Sequence, residues 1–186
     1  MKKILFTLAA CLFAISAWAD AKLVSGSMID LKDSNARVLV SWDYTNMLVE
    51  DKKLNDFLKE KGADWERDYP AEVAAGESAF DIEFNKKDKK YALITDDDDD
   101  AQFEFVIHVE QFHYGSLGAT IMFGGFARGA HIEGTIDVKN RKTNQTIATV
   151  KYDCAGSSAY SNELKRVLAY QDLAKDLAKL IGKAKK

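Results

Sequence analysis

Five consecutive aspartates, Asp96 to Asp100, form the densest run of ligand-type side chains in the chain. Hard cations such as calcium take oxygen ligands from alternate positions of a loop. Asp96, Asp98 and Asp100 have that spacing and are the first candidate metal ligands. The remainder of a calcium loop is missing. Ala101 stands where the loop needs glycine, and Ile107 stands where it needs a bidentate glutamate. The competing reading is a solvated hairpin loop whose like charges keep it exposed.

The chain has three histidines. His108 and Glu110 are two residues apart in a segment with strand character, so they share a face and could form half a metal site. His113 falls on the opposite face unless a bulge shifts the phase. His131 belongs to a different strand and reaches His108 only if those strands are neighbours. A metal site needs three or four convergent ligands, and spacing alone names two. The alternative is a polar row facing solvent.

Motifs for nucleophilic catalysis are absent: there is no G-x-S-x-G, S-x-x-K or H-E-x-x-H. Gly156-Ser157-Ser158-Ala159 reads as a turn before the last helix, where it could hold an anion or simply cap the helix. No cofactor is implied, and the chain reads as non-enzymatic. One apolar glycine-rich segment, from Gly115 to Gly129, remains. It has no phosphate-loop spacing. Ile121, Met122, Phe123 and Phe126, followed by Arg128, are bulky for an exposed loop. They either fold back into the core or form a contact surface for a partner or a membrane.

Strands and helices must position these residues. Residues 36–44 read as a largely buried strand, since both of its alternating sets contain apolar side chains. Residues 50–61 read as a helix, with Leu54, Phe57 and Leu58 on one face and Gly62 as its stop. Pro70 suits the first position of a second helix carrying Val73, Glu77, Phe80 and Phe84 on one face. Residues 91–95 form a short strand. In the strand 103–114, Phe103, Phe105, Ile107 and Val109 point one way. Residues 130–139 and 146–154 are two more strands, joined by a polar turn. A long helix covers about 162–181, with a stripe through Leu164, Val167, Leu168, Gln171, Ala174, Ala178 and Ile181, widened by Leu173, Leu177 and Leu180. The order predicts an α/β (α+β) single domain over residues 20–186. Its mixed sheet has five or more strands, with a parallel crossover first, antiparallel hairpins later and helices packed on it.

Residues 1–19 read as a secretory signal peptide of bacterial type. Lys2 and Lys3 precede an apolar run from Ile4 to Ile15, and Ala17-Trp18-Ala19 supplies the small residues for cleavage before Asp20. That run is shorter than the roughly 20 residues needed to cross a bilayer. The rival reading is a lipoprotein site at Leu8-Ala9-Ala10-Cys11, with the lipid anchor on Cys11. Signal-peptide removal takes away two lysines, so the exported chain is more acidic than the net charge of −3 for the full sequence. That balance argues against nucleic-acid binding. Removal of Cys11 also leaves Cys154 as the single thiol, read as a buried small apolar group or the half of an intermolecular disulfide. The expected location is periplasmic or extracellular.

The chain resembles a family of uncharacterised exported bacterial proteins, often lipoproteins. These share a layout with the periplasmic domain of the curli-secretion channel subunit and the amino-terminal domain of TolB. The resemblance rests on the strand Phe103–Tyr114 ending in Gly115-Ser116, then Phe126 to Ala130, the strand Gly134 to Val138, Thr143-Asn144 before Ile147-Ala148, and a last helix with Leu173 and Leu177. The segment Asp64 to Pro70 is also similar to a related group's pattern. What this implies is a mixed α/β domain of the cell envelope with no catalytic residues. Its expected role is binding an envelope protein or another copy of itself. A ligand- or divalent-ion-binding domain is the alternative.

Mass spectrometry of the exported protein should find Asp20 at its N-terminus. A lipidated Cys11 would show that the anchor reading is the correct one.

Overall fold

The computed structural model describes residues 21–33, 35–88, 91–115 and 128–185. The signal-peptide residues, Cys11 among them, and Ile121, Met122, Phe123 and Phe126 lie outside the described residues. Arg128 opens a strand through its backbone.

The strands are β1 (Lys22–Gly26), β2 (Ala36–Asp43), β3 (Leu48–Val49), β4 (Lys52–Lys53), β5 (Ala92–Ile94), β6 (Phe103–His113), β7 (Arg128–Asn140) and β8 (Gln145–Ser157). The helices are α1 (Ile29–Asp33), α2 (Leu54–Lys61), α3 (Ala63–Lys87) and α4 (Asn162–Lys183). The main path of the sheet runs β1-β8-β7-β6-β2-β5, and the β3–β4 hairpin joins the far end of β6. β2 is parallel to both β5 and β6, while β6, β7, β8 and β1 are successively antiparallel. This is the mixed sheet that the order of elements implied. α2 and α3 form the crossover between parallel strands, and short polar turns suffice for the later hairpins.

Periodicity explains the two layers. On β6, Phe103, Phe105, Ile107 and Val109 are buried. On β7 and β8, Ile132, Ile136, Val138, Val150 and Tyr152 are buried in the same sense. Against them lie Phe80 and Phe84 of α3 and Tyr170, Leu173, Leu177 and Ile181 of α4. Burying each such side chain contributes about 1.5–3 kcal/mol. The opposite face of the sheet keeps its polar side chains.

Four local features differ from the sequence expectation. The helix expected over 50–61 begins only at Leu54. Residues before it form the β3–β4 hairpin, with Glu50 and Asp51 both at positive φ. Those two residues lack the Asn-Gly signature of such a turn. Tertiary bonds hold it instead: Glu50 N–H donates to the Phe112 carbonyl at 3.0 Å, and Tyr114 N–H donates to Glu50 Oε1 at 2.7 Å.

The second helix starts at Ala63, so Pro70 lies inside α3. Gly62, at φ 93°, both ends α2 and begins α3. Proline removes one backbone hydrogen bond and crowds the preceding turn. Anchoring on both sides of it offsets that cost: before it Trp65 packs on Phe57 and Tyr114 and Tyr69 is buried, and after it Glu72 holds Arg166 and Phe80 is buried. β1 and α1 have no counterpart in the periodicity reading. α1 nonetheless has a defined task. Lys32 donates to the Gly182 carbonyl at 2.9 Å and the Ala184 carbonyl at 2.8 Å, capping the last turn of α4.

The buried face of α4 is also rotated from the expected stripe. Leu164 is exposed, while Lys165, Arg166, Ala169 and Tyr170 are buried. The reason is Arg166, which is fully buried. Its Nε donates to Glu72 Oε1 at 2.8 Å and its Nη2 to the Tyr114 hydroxyl at 2.9 Å. The guanidinium carbon sits 3.9 Å from the Phe112 ring centroid and 4.8 Å from that of Tyr69. Gly76 makes room: a Cβ there would lie 3.1 Å from Arg166 Cγ and 3.2 Å from Tyr170 Cγ.

Removing the carboxylate strands a buried charge, which costs about 3–5 kcal/mol. Glu72→Ala should therefore lower the urea midpoint by that equivalent, with Glu72→Gln intermediate. An unchanged midpoint in Glu72→Ala would show that the pair is not needed for folding.

Candidate metal centre

The open face of the sheet carries all three histidines, and one backbone irregularity brings His113 there with the other two. β6 and β7 pair as Val109↔Gly134 and then Gln111↔Glu133, so Glu110 is an extra residue. The bulge shifts the alternation by one. Val109 is buried before it, and Phe112 is buried after it. His113 therefore joins His108 on the open face. Glu110 itself is exposed in the bulge, so the expected His108/Glu110 half-site is not what forms.

His108 pairs instead with carboxylates from two neighbouring strands. Its Nδ1 lies 2.8 Å from Asp43 Oδ2 on β2, and its Nε2 lies 3.8 Å from Asp137 Oδ2 on β7. Asp43 is held from the other side by Thr45, whose N–H donates to Oδ1 at 2.9 Å. Hydrogen bonds from the Thr45 side chain and backbone, then the one from His108, bring the Asp43 carboxyl down to about 2.

His131 is a neighbour of His113, not of His108. The two are paired in register, with near-parallel rings whose centroids are 6.2 Å apart. His131 Nδ1 lies 3.4 Å from Glu133 Oε1, two residues along β7, and its Nε2 contacts Asp153 Oδ1 on β8. Glu133 and Asp153 are themselves register partners. One ligand atom from each of His131, Glu133 and Asp153 falls within 4.8 Å of the others, and all three residues are partly buried. Ligand atoms around one divalent ion, each about 2.0–2.2 Å from it, stand roughly 3–4 Å apart. Glu133 and Asp153 now sit at opposite nitrogens of the ring, so an ion at one nitrogen draws the other carboxylate across to reach that spacing. One imidazole and two carboxylates suit zinc or another divalent transition metal.

The aspartate run is arranged differently. Residues 95–102 carry the chain from β5, on one side of β2, to β6 on the other. Arg141 Nη2 donates to Asp98 Oδ1 at 2.7 Å, and Arg37 Nε pairs with Asp100 Oδ2 at 3.2 Å. Asp99 N–H donates to Asp97 Oδ1 at 3.0 Å. Asp98 and Asp100 thus face arginines. Asp96, Asp98 and Asp100 do not form a converging group among the described residues. The turn expected at 156–159 is partly strand, since β8 runs through Ser157. Ser161 is the residue that caps α4, accepting the Leu164 N–H at 3.1 Å. Cys154 is a free, fully buried thiol, and burial pushes its pKa well up.

His131 and Glu133 have the same i, i+2 signal as His108 and Glu110. The third ligand, Asp153, was invisible without the β7–β8 register. Among the described residues, no helix is long and apolar enough to cross a membrane.

No protein-family model and no curated protein matches the chain. Similar solved structures include PelC from Paraburkholderia phytofirmans, a dodecamer. It is 13% identical, with 86% of this chain and 97% of that chain covered, and a TM-score of 0.46. Another is a Xanthomonas campestris protein of the DUF330 family. It is 10% identical over 80% of this chain and 82% of that chain, with a TM-score of 0.39. The likeness to the curli-secretion and TolB domains is not shown by these comparisons.

The depressed Asp43 carboxyl makes a pH prediction. Its ordinary value is 3.8 and its folded value about 2. Its contribution to stability is therefore present above about pH 4 and lost as pH falls toward 2. An NMR titration should place the Asp43 midpoint near 2, with Thr45→Ala and His108→Ala each moving it up. A midpoint near 4 in the wild type would show that these bonds do not hold in solution.

Proposed function

We propose that this chain is an exported, non-enzymatic binding domain of the cell envelope whose ligand is a divalent transition-metal ion. The observation that carries this reading is the convergence of His131, Glu133 and Asp153 from two paired strands. Two further features support it. Asp43, Glu50 and Asp137 lie on the same side and add negative potential, which favours a cation over an anion. Residues on hydrogen-bonded strands are also held more precisely than residues on a loop, which lowers the ordering cost of binding. The export part of the reading rests on the anatomy of residues 1–19. Contact with a protein partner or with a second copy belongs to the same reading, on the absence of catalytic motifs from the sequence.

The test is calorimetric titration of the chain from Asp20 onward with Zn(II), Mn(II) and Ca(II). One Zn(II) should bind per chain. At a hundredfold excess over Kd it should add about 2.7 kcal/mol to stability by mass action. His131→Ala and Asp153→Asn should abolish the heat, while Asp98→Asn leaves it unchanged. Absence of both heat and melting shift at millimolar Zn(II) would sink the proposal. Loss of binding in Asp98→Asn alone would relocate the site to the aspartate run.

A further inference from the structure

We infer that His113 supplies the fourth protein ligand of this centre, and that the Gln111 side chain holds its place when no ion is bound. The inference rests on the reading of His131, Glu133 and Asp153 as a metal site and extends it to a third strand.

His113 already has the carboxylate partner that metal-bound histidines have. Such residues give one ring N–H to a carboxylate and present the other nitrogen to the ion. His113 Nδ1 lies 3.2 Å from Glu50 Oε2, which makes Nδ1 the donor. Nε2 is then the acceptor, and the Gln111 side-chain amide donates to it at 2.7 Å. The same amide nitrogen also donates to Asp51 Oδ1. Nε2 also lies 3.9 Å from that Asp51 oxygen, so its lone pair is engaged on the hairpin side and must leave the amide before it can ligate an ion.

Register places His113 beside the other ligands, although its lone pair faces Gln111. Gln111 is paired with Glu133, and His113 with His131, so these side chains form a square across β6 and β7. Two imidazoles on one tetrahedral ion, each with a metal–nitrogen distance near 2.0–2.1 Å, leave their ring centroids roughly 5 Å apart. The rings here are 6.2 Å apart and near-parallel, and His113 stands outside the group that already converges. On ligation the His113 side chain therefore turns away from Gln111 and toward His131. Glu50 follows from a hairpin fixed to the same end of β6: its N–H donates to the Phe112 carbonyl, and its carboxylate also accepts Tyr114 N–H. A site with His113 added has two imidazoles and two carboxylates, a set suited to tetrahedral Zn(II) or Co(II).

The two β6 side chains should act in opposite directions, which a purely structural role would not produce. In titrations with Zn(II), His113→Ala should weaken binding about 10- to 100-fold. Gln111→Ala frees the lone pair and should tighten binding several-fold. In the double variant that gain should vanish, because the amide has nothing left to compete for. The Co(II) complex of the wild type should show the strong visible absorption of a four-coordinate ion, weakened in His113→Ala. An NMR measurement on the wild type covers the case in which His113→Ala fails to fold. On adding Zn(II), the imidazole Nε2 resonance of His113 should shift together with the ring resonances of His131.

Wild-type Zn(II) affinity in a folded His113→Ala, or an unmoved His113 resonance while His131 shifts, overturns this inference and leaves the three-ligand site standing. Failure of the wild type to bind Zn(II) overturns both.

Discussion

A buried guanidinium organises this molecule. Arg166 on α4, Glu72 on α3 and Tyr114 just beyond β6 form one closed set of hydrogen bonds, with Glu72 Oε1 also accepting the Tyr114 hydroxyl at 2.6 Å. Taking a charge out of water is expensive, and attraction to one carboxylate repays that cost only when the geometry is good. Here the rings of Phe112, Tyr69 and Tyr114 surround the guanidinium as well. Such a pair adds little net stability over an apolar replacement, but it discriminates sharply between arrangements. An α4 rotated by one residue would carry the charge away from Glu72. The contact therefore fixes how the two long helices lie on the sheet, and Gly76 is the concession that lets them approach.

The same contact reaches the open face. Tyr114 is tied to Arg166 through its hydroxyl and to Glu50 through its backbone N–H. Glu50 in turn meets His113. Core and surface are thus joined at the C-terminal end of β6, where strand ends otherwise fray. The pin is needed because the bulge at Glu110 lies only three residues before His113. A bulged strand is free to bend. Tyr152 braces the start of the bulged stretch by donating its hydroxyl to the His108 carbonyl at 3.0 Å. It passes over Gly134, where a Cβ would lie 2.7 Å from that hydroxyl oxygen.

What could be read from the residues divides along physical lines. The strands that became β2, β6, β7 and β8, and the last helix, were legible because apolar periodicity reports directly on burial against one large core. Parallel and antiparallel connections followed from their lengths. The β3–β4 hairpin was not legible, since its Glu50-Asp51 turn is held by the end of β6 and not by local propensity. The start of α3 was misplaced because Pro70 is a strong local signal that tertiary packing overrides. The stripe of α4 was misread because a buried arginine looks, in sequence, like a solvent-facing one. The bulge did leave a trace: the apolar series 103, 105, 107, 109 resumes at Phe112 instead of at position 111. His113 was assigned conditionally for want of that reading. Asp153 required knowledge of a partner strand, which no local pattern supplies.

The polar face follows from this architecture. An antiparallel sheet covered by helices on one side can leave the other wet, so that face is free to vary without disturbing the core. It has gathered carboxylates on three strands, Asp43 on β2, Asp137 with Glu133 on β7, and Asp153 on β8, with β6 and its histidines between the first two. Like charges at register-paired positions repel, and Glu133 opposite Asp153 is such a pair. Solvent screens part of that repulsion, and a cation between them would offset more of it. His131 occupies that position, with one carboxylate at each ring nitrogen. An ion taking one of those nitrogens needs it free of a proton. The pairing of β7 with β8 thus sets the electrostatics of this spot through the fold alone.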